Sequence, residues 1–395
     1  MDKKFDYESL FSKSSLEIEI SKVSHAKYDF AVAYPPPETI PLNGLLEGLS
    51  EGLSKEGKDL AYYPDVMGAL SLREFVCQKL QEDRGFFSDP DEIMITQGSA
   101  EANNLVIQAL TDPGDTVITE EFVYLGTLRQ LRRAKANVFG SKLDENGLIP
   151  EELENLIKKL IKKGKKIKYI YTIPEFQNPT GSTLPLERRV QILKIAEKYL
   201  IPLIEDDCYV DLRFEGKTQP SFKSLDSSGL VIHVASFSKL LAPGLRMGYV
   251  IADISVLKRM MSFKSSQSSQ FVSLAIEGFL TKNMDNHKNK IREILKEKCN
   301  AMTTALGENF GGINAKWSNP GGGCYVWLTM PERINLTKLQ GVCFDKGVGF
   351  IPGSSFSPEG LGDNCARLCF AYESPEKNRD GINLFGEILH QLNLI

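Results

Sequence analysis

The chain has 395 residues, 42% of them hydrophobic and 25% charged, with 47 Lys and Arg against 51 Asp and Glu. These fractions exclude a disordered, collagenous or rod-like chain, and the length predicts a large core divided over about two domains. A formal net charge of −4 gives no general electrostatic reason to bind nucleic acid or an anionic membrane.

In chain order, the amino terminus MDKKFDYESLFSKSS lacks the apolar stretch of a secretion signal. The first forty residues read as irregular and end in Tyr34-Pro35-Pro36-Pro37, a stiff extended arm. After Pro41, Leu45, Leu46, Leu49 and Leu53 recur at helical spacing. Short β-rich runs follow at Ile93 to Thr96, Thr116 to Thr119, Ile167 to Pro174, Ile201 to Asp206, Val231 to Ser236 and Met247 to Ala252. Helical patterns lie between several of them, as at Leu186 to Leu200, and this alternation predicts an α/β domain with a mostly parallel sheet. The basic run Lys158 to Lys168 reads as a solvated helix end. From about Asn286 a long charged helix begins, then a strand group near Cys324 to Thr329 and a last helix near Asp380 to Leu392. The expected division is an arm with part of the small domain at 1–45, a large domain at 46–285 and a smaller α+β domain at 286–395.

No run of 18 or more apolar residues occurs, so no membrane span is expected. Seven cysteines without CxxC spacing predict free thiols and a cytoplasmic location. The four histidines form neither HExxH nor a Cys/His cluster, and Gly-x-Ser-x-Gly is absent, so neither a metal site nor a serine hydrolase is expected. Lysine chemistry with a bound cofactor is the leading reading.

Ligands of an open parallel sheet gather outside the carboxyl ends of its strands. Just after the apolar runs stand Gly98-Ser99, Tyr124, Asn178, Asp206 to Tyr209 and Ser236 to Lys239. Lys239 follows a strand and Ser236 and Ser238, with Arg246 seven residues on. Such a lysine forms a Schiff base with an aldehyde cofactor, while hydroxyls and a guanidinium suit a phosphate; the bland reading is a surface lysine beside a Ser-rich turn. Ser99 and Ala100 open a helix whose backbone N–H groups suit an anion, or Ser99 is simply an N-cap. Asp206 reaches a protonated ring nitrogen or caps a loop, with Glu205 and Asp207 equally placed by spacing. Tyr209 and Asn178 suit a phenolic oxygen and Tyr124 a ring face, though each also suits plain packing. Arg367, in the run NCARLCFAY, calls for an anion: a substrate carboxylate or a structural ion pair.

Taken together, PEFQNPTG (174 to 181), EDDCY (205 to 209), SFSKLLAPGLRMGY (236 to 249), NPGGGCYVW (319 to 327), GFIPGSSF (349 to 356) and ARLCF (366 to 370) resemble the class I and II pyridoxal-phosphate aminotransferases of fold type I. The likeness runs from about Tyr28 to the carboxyl terminus and is greatest to the branch holding 2-aminoadipate and kynurenine aminotransferases. It implies pyridoxal 5′-phosphate as cofactor, Lys239 as Schiff-base lysine and proton carrier, and Asp206 on the pyridine nitrogen. It implies Tyr209 and Asn178 on the phenolic oxygen, the stacking ring at Tyr124, and a phosphate cup of Ser99, Ala100, Ser236, Ser238 and Arg246. Arg367 matches the substrate-carboxylate clamp, Asn178 and Tyr34 border the substrate, and Tyr63 matches the tyrosine that reaches the neighbouring subunit's phosphate, which implies a homodimer. Two departures stand out. Val32-Ala33 replaces a frequent Gly-Gly, and GSAEANN replaces Gly-Ser-Gln-Gln, leaving Ala100 only its backbone N–H.

The implied reaction is ping-pong transamination from an L-amino acid to a 2-oxo acid, with 2-oxoglutarate the expected acceptor. The alternatives are a lyase or cyclase resembling 1-aminocyclopropane-1-carboxylate synthase, a ligand-sensing regulator, for which the segment before residue 40 is too short to supply a DNA-binding domain, and a binding module without catalysis. Tyr34, Tyr124 and Tyr325 suggest room for a bulky or apolar side chain.

Overall fold

The computed structural model describes residues 5–12 and 24–395; residues 1–4 and 13–23 of the expected arm lie outside the described residues. A seven-stranded sheet runs in the order Ile93–Thr96, Gly248–Ile251, Val231–Ser236, Leu203–Asp206, Ile167–Thr172, Thr116–Glu120, Asn137–Ser141. Gly248–Ile251 is antiparallel to both neighbours, and the remaining pairs are parallel. Period-two alternation divides the core between two faces. Ile118, Ile170, Leu203 and Val231 pack with Leu153, Ile157 and Ile192 of the helices Pro150–Lys162 and Leu186–Tyr199. Val117, Tyr171, Ile204 and Val234 face the other way, toward Leu105 of the helix Ser99–Leu110 and Leu128.

Two strands are shorter than the apolar runs because proline cannot donate to a ladder. The expected strand to Pro174 stops at Thr172, and the Ile173 N–H turns to Glu120 Oε1 at 3.2 Å. The run from Ile201 enters the sheet only at Leu203, after Pro202.

The long helix spans Gln270–Phe310, sixteen residues further toward the amino terminus than its charged pattern predicts, and so runs across residue 285. Its first turns bury Ser273, Leu274, Ala275, Ile276, Phe279 and Leu280, which leaves no polar stripe to mark them as amphipathic. The last helix likewise starts early, at Pro375, with the Ser374 hydroxyl accepting from Lys377 N at 3.2 Å. The helix Leu42–Glu56 meets the long helix through glycine. A Cβ on Gly48 would stand 2.5 Å from Phe279 N, so only glycine allows this approach, while Leu42 and Leu46 stay exposed.

A four-stranded sheet completes the fold, ordered Lys316–Trp317, Tyr325–Thr329, Cys365–Cys369, Ile351–Pro352. Tyr28–Asp29 pairs with Val348–Gly349 and draws the amino-terminal segment across this part of the molecule. None of the seven cysteines is in a disulfide. The lysines of the basic run from 158 to 166 are exposed. Among the described residues, no helix is long and apolar enough to cross a membrane.

Candidate active site

The strand ends at Thr96, Glu120, Thr172, Asp206 and Ser236 open on one rim, and there a cavity of about 220 Å³ is found. It is lined by Tyr34, Ser99, Ala100, Tyr124, Asn178, Asp206, Tyr209, Ser236, Ser238, Lys239 and Arg246. Ala33, Ile173, Cys208, Pro243 and Tyr325 complete the wall. Arg367 is not among the lining residues but touches two of them, Asn178 and Tyr325, and Tyr63 lies elsewhere, 93% exposed to solvent.

The phosphate-sized corner is built from backbone first. Gly98 precedes the helix Ser99–Leu110 at φ +82, a conformation that L side chains rarely adopt, and a Cβ there would come within 2.9 Å of Arg246 Nη2. Arg246, itself at φ +48, donates from Nη2 to Gln97 O at 2.9 Å. The Ser236 hydroxyl donates to Ser238 Oγ at 3.0 Å and accepts from Ser238 N at 3.2 Å. Two hydroxyls, a guanidinium and a helix amino terminus thus meet at one corner, the donor set a phosphate dianion needs.

At the other end lies Asp206. Strand alternation sends Glu205 and Asp207 away from the cavity: Glu205 Oε2 lies 3.0 Å from His233 Nδ1, and Asp207 Oδ2 pairs with Arg84 Nη2 at 2.8 Å. Asp206 alone faces inward, which settles what spacing left ambiguous. Its Oδ2 accepts from Tyr171 at 2.6 Å and Asn103 at 2.9 Å, and its Oδ1 accepts from the Cys208 thiol at 2.8 Å. All three donors are neutral, and burial holds the carboxyl above its ordinary value of 3.8. A buried carboxylate with only neutral donors calls for a cation beside it.

Between these ends stands Lys239, pushed below its ordinary 10.5 by burial, its Nζ donating to Ala33 O. Asn178 Nδ2 donates to the Tyr209 hydroxyl at 3.1 Å, and Tyr209 meets the Tyr325 ring edge-on at 5.8 Å. Tyr124 caps the helix Leu125–Arg133 with its ring in the cavity wall. These residues fit pyridoxal phosphate: phosphate donors at one corner, an acid for the ring nitrogen at the other, donors for an oxygen and an amine between.

Arg367 is 3% exposed and lies 4.4 Å from the Tyr325 ring centroid and 5.3 Å from that of Phe356. Nη1 donates to Asn178 Oδ1 at 3.3 Å, Nη2 donates to Ala31 O at 2.7 Å and Val32 O at 3.0 Å, and Nε is buried without a partner among the described residues. No carboxylate forms a salt bridge with it among the described residues, so the structure gives no ion pair to explain it.

Asn103 and Tyr171, which hold Asp206, escape notice in the sequence. Asn103 sits in the buried stripe of an apolar helix and Tyr171 inside a β-rich run, so periodicity marks both as core.

Residues 34–384 match the family described as aminotransferase class I and II. The chain belongs to this family. It is 32% identical over 401 aligned positions to aromatic-amino-acid aminotransferase 1 of Thermococcus litoralis, covering 98% of this chain and 95% of the relative. Among solved structures, it is similar to the kynurenine aminotransferase of Pyrococcus horikoshii, with 32% identity, TM-score 0.91 and 98% of each chain covered. It is also similar to the α-aminoadipate aminotransferase of Thermus thermophilus complexed with N-(5′-phosphopyridoxyl)-L-leucine, with 27% identity, TM-score 0.89 and coverage of 99% of this chain and 100% of that one. This aminotransferase therefore has the fold of type I, uses pyridoxal phosphate and transfers an amino group between amino and 2-oxo acids. The relatives favour transamination over the lyase or cyclase reading.

Proposed function

We infer that the cavity around Lys239 is where this aminotransferase moves an amino group from an L-amino acid to a 2-oxo acid, 2-oxoglutarate being the proposed acceptor. The observation that carries this reading is the pairing of an amine of lowered proton affinity with a buried, inward-facing carboxylate in one cavity. When bound, pyridoxal phosphate supplies an aldehyde that condenses with amines and a ring that accepts the electron pair left by a departing α-proton. Lys239 Nζ is the attachment point and then the base that takes that proton. Asp206 would hold a proton on the ring nitrogen, while Tyr209 and Asn178 would hold the phenolic oxygen. Tyr124 would cover the ring face, and Ser99, Ala100, Ser236, Ser238 and Arg246 would anchor the phosphate. Arg367 grips the substrate carboxylate, with Asn178 and Tyr34 bordering it.

The exposed Tyr63 ring supports a homodimer in which it serves the neighbouring subunit's phosphate; a monomeric mass in sedimentation would contradict this. We place the protein in the cytoplasm, with an arm at 1–45, a cofactor domain at 46–285 and a small domain at 286–395. The wall of Tyr34, Tyr124 and Tyr325 suits a bulky or apolar side chain; the Thermococcus relative is named for aromatic amino acids and the Pyrococcus one for kynurenine.

Arg367→Ala is expected to raise KM for the amino acid by roughly 100-fold, since two charge-assisted hydrogen bonds to a carboxylate are lost. Steady-state kinetics test it, and an unchanged dependence on amino-acid concentration contradicts the clamp. The reaction itself is tested by mixing the holoenzyme with one amino acid at a time and no acceptor. Each productive amino acid should yield one 2-oxo acid and one pyridoxamine phosphate per site. Release of ammonia or a cyclised product instead would overturn transamination.

A further inference from the structure

Glu120, the last residue of the strand Thr116–Glu120, is 2% exposed and has no role in the chemistry above. Its Oε1 accepts from Thr172 Oγ1 at 2.7 Å and Ile173 N at 3.2 Å, and its Oε2 accepts from Gln177 Nε2 at 2.8 Å. Gln177 is saturated in turn. Its Nε2 also donates to Phe122 O at 2.7 Å, and its Oε1 accepts from Thr180 N and Thr180 Oγ1, both at 2.8 Å. The next residue is Asn178, which meets both Tyr209 and Arg367. One carboxylate thus ties together the loop leading to Tyr124, the end of the strand at Ile173 and the turn carrying Asn178, and all three of those residues line the cavity.

We propose that ionised Glu120 is a positioning residue for the cofactor site, holding Gln177 in the one amide orientation that sets Asn178 against Tyr209 and Arg367. This rests on the reading of the cavity as the pyridoxal-phosphate site. The donors favour the charge: the Ile173 N–H and the Gln177 amide can only donate, and a carboxylate accepts from both and from the Thr172 hydroxyl, whereas a neutral acid keeps its contact to Thr172 only by turning that hydroxyl's hydrogen away. A proton on Oε2 would point at the Gln177 amide nitrogen and break that contact. Flipping the amide is no escape, because it would set the Gln177 oxygen against Phe122 O and turn its nitrogen to Thr180 N.

The charge is held at a cost. Burial, opposed by these hydrogen bonds and reinforced by Asp206 two strands away, pushes Glu120 up to about 7 from an ordinary 4.5. Of the other charged groups nearby, Glu121 faces Glu359 and Lys142, and Arg367 lies beyond Asn178. An acid raised by folding lowers stability as pH rises from its unfolded to its folded value, here from about 4.5 to about 7. The clamp therefore completes over the range in which stability is given up.

The test compares apo-protein of the wild type, Glu120→Gln, Gln177→Met and the double variant, titrated with pyridoxal phosphate and followed by absorbance from pH 6 to 8. Each single variant should bind roughly 10-fold more weakly. The absorbance should also titrate with a shifted midpoint, since the Asn178 and Tyr209 contacts to the chromophore are disturbed. Wild-type affinity should fall as pH drops through about 7, and that step should be missing in Glu120→Gln, whose apo form should melt no lower than the wild type at pH 8. The double variant should be no worse than the worse single variant, because one link is cut twice. Wild-type affinity and absorbance titration in Glu120→Gln, or defects that add in the double variant, would overturn the role of Glu120 while leaving the cofactor site standing. Failure of the wild type itself to bind would overturn both.

Discussion

Lys239→Ala is expected to lose at least about 10⁴-fold in turnover, the upper end of what a positioned acid–base group supplies, with covalent attachment of the cofactor lost as well. The size of the effect follows from the double duty of one atom. The Nζ is the amine for the cofactor aldehyde, and it is also the group placed to take the α-proton. Burial pushes it below its ordinary 10.5, which raises the share of the unprotonated form that does both. Among the described residues, no other lysine lines the cavity to replace it. The phosphate corner, built from Ser236, Ser238, Arg246 and the start of the helix Ser99–Leu110, is untouched by the substitution. The variant should therefore still bind pyridoxal phosphate reversibly, and added small primary amines should restore part of the rate. Steady-state assays with and without an amine check both statements; a variant retaining normal turnover would remove Lys239 from the mechanism.

Asp206→Asn is expected to reduce kcat by about 10²- to 10³-fold, the scale of removing one charge aimed at where charge develops in the transition state. The amide oxygen can accept from Tyr171 and Asn103 as Oδ2 does now, which turns its nitrogen toward the cavity and the Cys208 sulfur, whose thiol then gives up its bond to Oδ1 and faces the amide as a weak acceptor. An amide at 206 would no longer hold a proton on the ring nitrogen, and the electron sink that the bound cofactor supplies would be weakened. Stability should move the other way. Burial raises the folded pKa of Asp206 above 3.8, so its ionisation costs the apo fold stability as pH rises through that interval, and above it the cost is complete. At pH 7 the apo form of Asp206→Asn should melt at or above the wild type while its holoenzyme is nearly inactive. Thermal denaturation of apo-protein beside kcat measurement checks the pair; a variant that is both destabilised and active would contradict it.

The strands of the large sheet were legible because buried parallel strands are written as short β-branched runs, and the rim followed from where those runs stop. Lys239, Ser236, Ser238 and Arg246 were legible because they stand within one continuous segment. Asp206 was not separable from Glu205 and Asp207 by spacing. That choice depends on which face of the strand meets Arg84 and His233, a long-range fact. The start of the long helix was hidden because its first turns are buried on most sides, and helical periodicity needs a polar face to show. Arg367 gave no sign that its Nη2 would meet Ala31 and Val32, more than 300 positions away. Glu120 was hidden for the opposite reason from the helix. A strand-terminal acid reads as solvated, and only the fold shows it buried beneath the turn that carries Asn178.

Everything proposed for the cavity depends on Lys239 carrying the cofactor. Borohydride reduction of the holoenzyme followed by peptide mass spectrometry tests it most directly. A phosphopyridoxyl group is expected on Lys239 at one per chain; a label on any other lysine, or none at all in cofactor-loaded protein, would contradict this.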